Sequence, residues 1–206
     1  MSTSLQSLDE IEKKICPVKS AQPAALTPTE ADPAWLSKVR AHMRQREPDQ
    51  AMQLLLQFVR VDPKNILAWR EIGRILDGVG RKEPALSAWS QVLALDPNDA
   101  EALLSSGLNL LAGKKFLPAA EKLFLARRVW VTVASTNARL KMQIATDTGL
   151  GFALRELDYF QAAATCFHEA AQLEISLSTE VSAEGKIPGT HSKDLYRFAG
   201  ECEASV

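Results

Sequence analysis

Residues of the same kind recur at intervals of 34 positions along the chain. The interval separates two tryptophans, two prolines, two glycines and three alanines: Trp35 and Trp69, Pro63 and Pro97, Gly73 and Gly107, and Ala51, Ala85 and Ala119. Five coincidences in one register rarely arise by chance, and such a period is typical of proteins that stack one supersecondary unit many times. We therefore expect the 206 residues to form a stack of units rather than one central core.

The segment 66–99 carries the most complete unit. Its first half spaces apolar residues as one face of a helix, and its second half starts a new helix that a proline ends. The residues concerned are Trp69, Ile72, Gly73, Leu76, Ala85, Trp89 and Pro97. Glycine and alanine suit close approach of two helices, and Gly78 and Gly80 are expected to form the turn between them. This unit resembles the tetratricopeptide repeat signature.

The resemblance implies an all-α fold, a right-handed superhelical solenoid of about four helix-turn-helix repeats with a short C-terminal capping helix. The predicted organisation is a tail, an array and a cap: residues 1–31, then 32–177 with repeats at about 32–65, 66–99, 100–133 and 144–177, and finally 178–206. Val39 replaces the glycine in the first repeat, so that hairpin is expected to be slightly splayed. The ten extra residues at 134–143 are expected to lengthen the first helix of repeat four, which either covers its neighbour or protrudes as a contact surface.

Both ends carry a short amphipathic pattern. Before a segment rich in proline, alanine and threonine, Leu5, Leu8, Ile11 and Ile15 are spaced like one face of a helix. Ser7 and Glu10 are placed as a capping box for that helix. So short a helix is marginal alone, so it either frays or docks on its own array, a second copy or a partner. Near the C-terminus, Leu195 and Phe198 suit a helix that covers the last repeat.

In proteins with this signature, the first helices of successive repeats line a concave groove, and the resemblance places a set of polar and apolar residues there. The predicted groove residues are Leu36, Arg40, Met43, Arg44, Leu67, Arg70, Arg74, Asp77, Leu104, Leu108, Leu111, Phe152 and Arg155. The set is basic at one end and rich in leucine in the middle. It predicts a protein or peptide partner with acidic and apolar segments, because arginines bind carboxylates and aligned exposed leucines favour an apolar cover. The alternative is a solvated arginine face with leucines buried by neighbouring helices.

Composition and spacing argue against other classes of function. The chain has 24 basic and 25 acidic residues, which favours neither nucleic acid nor a membrane surface, and we expect no membrane insertion. His42, His168 and His191 share no ligand or triad spacing, so no catalytic residue, metal or cofactor is expected. The three cysteines fit reduced thiols, and the N-terminus lacks the apolar run of a signal peptide; both favour the cytoplasm.

The sequence thus favours a non-catalytic protein-interaction adaptor or assembly chaperone. Three alternatives remain: a bacterial secretion-type chaperone with the same repeats, a self-assembling homo-oligomeric scaffold, and a subunit of an enzyme complex. A clamp for the acidic tails of heat-shock chaperones is not expected, because Leu36, Glu71 and Glu101 stand where such a clamp needs basic or amide side chains.

Overall fold

A computed structural model describes residues 7–15, 34–132, 136–183 and 191–205. These residues form ten helices and, within those ranges, no strand. The helices are α1 (Leu8–Ile15), α2 (Ala34–Arg44), α3 (Pro48–Val61), α4 (Ile66–Gly78), α5 (Lys82–Leu95), α6 (Ala100–Ala112), α7 (Phe116–Thr132), α8 (Asn137–Glu156), α9 (Phe160–Ala183) and α10 (His191–Glu203). Helices α2 to α9 pack as four hairpins, each against the next, and α10 packs on α9. The predicted all-α solenoid with a C-terminal capping helix is confirmed.

Each hairpin is centred on one contact between its two helices. A β-carbon added to Gly73 would lie 2.5 Å from the Trp89 ring, so only a glycine lets the two helices approach this closely. A β-carbon added to Gly107 would lie 2.6 Å from the Leu123 side chain, and the fourth hairpin has an equivalent contact. There the added β-carbon of Gly151 would lie 2.7 Å from the ring of Phe167. The glycines of the signature therefore make room for a large side chain sixteen positions later.

The first hairpin fills the same position with a different pair. Val39 stands where the other repeats have glycine, and sixteen positions later the large residue is Leu55. Both side chains are fully buried in one cluster. A branched residue on α2 is thus combined with a partner smaller than Trp89, which keeps the summed volume similar.

The turns between paired helices use one left-handed residue each. Arg46, Gly80, Lys114 and Asp158 have φ angles of 62°, 76°, 57° and 63°. The prediction for Gly78 is corrected, because this residue is the last of α4 and only Gly80 provides the left-handed turn. Helices α4, α6 and α8 begin at side-chain caps, in which Asn65, Asp99 and Thr136 accept a backbone N–H three residues later.

The extra residues before repeat four lengthen α8 to 20 residues. Ile144 packs against the large buried cluster of the C-terminal repeats, while Met142 remains 38% exposed. The lengthened helix therefore covers its neighbour on one side. The boundaries of the tail, array and cap stay predictions, and the first of them, at residues 31 and 32, lies outside the described residues.

Candidate protein-interaction site

The first helices of the four repeats carry the surface on which the predicted partner site lies. Each of these helices has one core position, which faces the large side chain of the second helix and is occupied by Val39, Gly73, Gly107 or Gly151. The residues directly after these positions are Arg40 in α2, Arg74 in α4, Leu108 in α6 and Phe152 in α8. We call these four the flank positions. They change from basic to apolar along the array, and their surroundings change with them.

The first two flank positions border a cleft between α2 and α4, which we call the α2–α4 cleft. It encloses about 400 Å³ and is lined by Arg40, Met43, Arg44, Glu71, Arg74 and Ile75. Four of these residues belong to the predicted groove set, so the structure brings this part of the prediction together. The cleft combines three guanidinium groups and one carboxylate with the apolar side chains of Met43 and Ile75.

Acidic side chains of α4 and α6 already occupy part of this basic surface. Arg74 donates from Nε and Nη2 to the two carboxylate oxygens of Glu101, at 2.6 Å each, and from Nη1 to Glu71, also at 2.6 Å. These carboxylates raise the pKa of Arg74 above its already high ordinary value, the Glu101 hydrogen bonds most strongly. Arg70 pairs with the buried Asp99 and lies 3.8 Å from Glu101. Both arginines of α4 are therefore already paired with carboxylates of the array.

Two arginines of α2 are also accessible to solvent. Arg40 and Arg44 are exposed, and Met43 between them is 39% exposed. Leu67, at the start of α4, is also 39% exposed. An acidic residue with an apolar neighbour would thus meet matching groups at this end of the array.

Three predicted groove residues serve the interior instead. Leu36 and Leu104 are only 2% and 3% exposed, which corrects the prediction that they face a groove. Asp77 accepts hydrogen bonds from the Trp89 indole at 2.8 Å and from the Asn109 amide at 2.6 Å. Its carboxylate therefore ties α4 to α5 and α6, and this also corrects its assignment to the partner site.

The predicted apolar centre of the groove is partly covered by α8. A β-carbon on Gly149 would lie 2.8 Å from Leu108, so the leucine packs directly on the α8 backbone. Leu111 is partly buried against the large buried cluster of the C-terminal repeats. The expectation of exposed leucines across adjacent helices is corrected, because the neighbouring first helix lies over them.

The last flank position is covered by α10. The ring centroids of Phe152 and Phe198 lie 5.2 Å apart in an edge-to-face arrangement, and Phe167 lies 5.1 Å from Phe152. Arg155 places its guanidinium 5.2 Å from the Phe152 ring centroid and 3.3 Å from Glu156. Phe152 and Arg155 thus belong to the junction with the capping helix.

Sequence reasoning missed a buried ionic cluster between α7, α8 and α9. Arg127 donates to Asp147 at 3.1 Å and to Glu169 at 2.5 Å, and Asp147 is 1% exposed. Burial raises the pKa of Asp147 to about 7, although Arg127 opposes the shift. Burial also raises the pKa of the adjacent Cys166 thiol, which confines it to a packing role at neutral pH. The one available signal was a lone carboxylate within the apolar stretch of α8.

Among the residues that the structure describes, no three histidine, cysteine or acidic side chains converge as metal ligands would. None of the helices formed by these residues is both long enough and apolar enough to span a bilayer.

Comparisons with known proteins agree with the architecture. A family model described as a tetratricopeptide repeat matches residues 32–75, which include α2, α3 and most of α4. No curated protein sequence matches the chain.

Solved structures share the fold at low sequence identity. MamA from Desulfovibrio magneticus RS-1 is 17% identical, with a TM-score of 0.58 over 83% of this chain and 94% of that one. A second MamA crystal structure is 14% identical, with a TM-score of 0.58 over 85% and 97% of the two chains. A chain of the APC/C hetero-tetramer Cut9–Hcn1 is 20% identical, with a TM-score of 0.56, and the match covers 81% of this chain and 36% of that one. Residues 32–75 thus match the tetratricopeptide repeat family, and the chain shares the helical-repeat fold of these solved structures.

Proposed function

We propose that this chain is a non-catalytic protein-interaction adaptor or assembly chaperone that holds an acidic segment of a partner protein in the α2–α4 cleft. The observation that carries the proposal is the contrast along the flank positions. The two basic positions are exposed and border an accessible cleft, whereas the two apolar positions are partly covered by α8 and α10. A cytoplasmic location remains a prediction from the composition.

The cleft defines the chemistry of its partner. Arg40 and Arg44 offer planar donors that bind a carboxylate through two parallel hydrogen bonds. Met43 offers an apolar surface beside them, which suits a leucine, methionine or aromatic side chain. The predicted partner is therefore an acidic segment with one or two apolar residues, which narrows the sequence-based prediction of a long apolar centre.

Glu71 and Glu101 restrict the orientation of that partner. Both carboxylates hold Arg74, so an incoming acid is repelled on the α4 side and attracted on the α2 side. Such an arrangement sets direction and association rate more than total affinity. Binding should weaken as salt rises, because the α2 arginines are exposed and their charges are screened.

A charge-reversal experiment tests this proposal. The wild-type chain and an Arg40→Glu, Arg44→Glu variant are used as bait in a lysate of the native host, and bound proteins are identified and then titrated as purified components. The control is Arg60→Glu with Arg197→Glu, which changes the net charge equally at exposed arginines outside the cleft. We expect the cleft variant to lose affinity at least about tenfold.

Three results bear on the proposal. A partner that binds the wild type and the control but not the cleft variant supports the site, provided that circular dichroism shows all three chains to be folded. Equal affinity for the wild type and the cleft variant contradicts it. Equal loss in the cleft and control variants also contradicts it, because the effect then follows net charge rather than position.

A further inference from the structure

Helix α1 docks on the second helices of repeats three and four. Its central residue, Ile11, is 1% exposed and belongs to the large buried cluster of the C-terminal repeats, against which Leu8 and Ile15 also pack. The helix contacts α7 and α9. We call the surface that receives it, formed by α7, α9 and the Tyr159 ring, the α1 slot. This slot lies on helices that do not line the α2–α4 cleft.

Charges fix the register of α1 in its slot. Glu12 lies 3.6 Å from the guanidinium of Arg128, and the Lys14 ammonium lies 5.5 Å from the centroid of the Tyr159 ring. The predicted capping box is confirmed, because Ser7 and Glu10 each accept the backbone N–H of the other at 3.3 Å. The α1 slot thus recognises the sequence of α1 through apolar burial, an ion pair and a cation–π contact.

Few interactions stabilise α1 in its slot. The helix has eight residues, only one of its side chains is fully buried, and both partners of its ion pair are partly exposed. A helix of this length has little stability without its docking surface. Release of α1 therefore leaves an unfolded segment and an empty apolar slot, and each then requires a complementary surface.

The length of chain between α1 and α2 allows the released helix to reach either of two slots. Residues 16–33 separate the two helices in sequence, and a segment of that length reaches at most about 60 Å. This reach suits the slot of the same chain or of an adjacent molecule. A second copy always carries the one sequence that the slot is seen to accept, whereas an unrelated protein would need the same apolar spacing and the same two charges.

We propose that the α1 slot is an exchange site, through which two copies of this chain insert each other's α1 and form a reciprocal dimer. In dilute solution the tether keeps each helix at a high effective concentration near its own slot, so the monomer dominates. The dimer forms as the chain concentration approaches that effective concentration, or when docking within one chain is weakened. This inference is independent of the proposed function, because it uses other helices and other residues.

Two full-length variants separate the helix from the slot. In the acceptor variant, Ile11→Asp prevents α1 from docking and leaves the slot empty. In the donor variant, Arg128→Glu with Tyr159→Lys places repulsive charges opposite Glu12 and Lys14, so α1 is released and the slot is disabled. Neither variant alone can exchange helices, but together they supply one functional α1 and one functional slot.

The first measurement is fluorescence anisotropy with a labelled peptide of residues 4–17. We expect saturable binding to the acceptor variant, at least about tenfold weaker binding to the wild type, whose slot is filled, and little binding to the donor variant. A peptide with Ile11→Asp serves as the control. Absence of binding to a folded acceptor variant, as judged by circular dichroism, overturns the proposal.

The second measurement is light scattering on the mixed variants at roughly 0.1 mM, below the effective concentration of a short tether. We expect a one-to-one heterodimer in the mixture and monomers in each separate sample. A chain that carries all three substitutions should form no dimer with either variant. Peptide binding without a heterodimer overturns the exchange, because the slot would then act only within one chain. The exchange would also be overturned if a different protein of the host occupied the slot and this chain did not self-associate.

Discussion

At the flank positions, repeats one and two carry Arg40 and Arg74, whereas repeats three and four carry Leu108 and Phe152. The core contact beside these positions is built alike in both halves, since Gly73 and Gly151 each admit a ring from the second helix. The halves differ only outside that contact. A repeat scaffold can therefore keep its packing constant and change the chemistry and accessibility of the adjacent surface independently.

The difference in accessibility follows from what lies on each half. In the N-terminal half, the flank arginines are exposed, and the ion pairs of Arg74 with Glu71 and Glu101 are partly exposed. In the C-terminal half, the lengthened α8 and the added α10 cover apolar flank residues. This half also contains an ion pair with a buried carboxylate, that of Arg127 with Asp147. We call the N-terminal half the accessible half and the C-terminal half, whose flank residues are partly covered by other helices, the sealed half.

The largest effect is expected where both halves are alike. Gly73→Val should lower the free energy of unfolding by about 3 kcal/mol or more, because the new branched side chain overlaps the Trp89 ring and has no room to move. Urea unfolding followed by circular dichroism measures the loss. Adding Trp89→Leu recreates the Val39 and Leu55 pair of repeat one and should recover part of it. A Gly73→Val variant of unchanged stability would contradict the assigned register.

The second test opens the sealed half. Phe198→Ala removes the ring that lies on Phe152 and Phe167, and it should lower the free energy of unfolding by about 2–3 kcal/mol, since the ring is only partly exposed. Arg44→Ala in the accessible half is the matched comparison and should change it by less than about 0.5 kcal/mol. Similar losses in both variants would show that the two faces do not differ as described.

How far the sequence predicts each half is also unequal. The period of 34 and the pattern around Trp69 predict the hairpins, because helix packing depends on local spacing and on small residues. They do not predict which flank residues remain accessible. Leu108 matches an exposed position in the repeat pattern, yet it packs against Gly149 of α8 and is partly buried. That contact joins residues far apart in sequence across an insertion whose length breaks the period.

The third test concerns the buried ionic cluster of the sealed half. The folded-state pKa of Asp147 is raised to about 7 from an ordinary value of 3.8, because burial disfavours its charged form. The folded state thus binds a proton more tightly, and this stabilisation is present below about pH 4 and is lost as pH rises through 7. Asp147→Asn has no titrating group at this position, so its stability does not fall in this way. Its free energy of unfolding, relative to that of the wild type, should therefore increase by about 2 kcal/mol from pH 5 to pH 8.

Urea unfolding of both chains at several pH values measures this gain, and Glu101→Gln provides the control, since Glu101 lies in the partly exposed network around Arg74. The control should show a smaller pH dependence, because solvent screens exposed pairs. A constant difference between Asp147→Asn and the wild type across this range would contradict the raised pKa of Asp147.

The smallest effect is expected from making the accessible half resemble the sealed one. Arg74→Leu places the residue type of repeat three at the flank position of repeat two, and it removes the hydrogen bonds to Glu71 and Glu101. The loss in the free energy of unfolding should stay below about 1 kcal/mol, because Arg74 is 44% exposed and its pairs are screened. Urea unfolding at low and high salt checks this, and the difference should shrink as salt rises. The reverse change, Leu108→Arg, should cost several times more, because the charge would be driven against α8 with no carboxylate in place of Glu101. If the two substitutions cost the same, the flank positions are equivalent in their surroundings, and accessibility does not distinguish the halves.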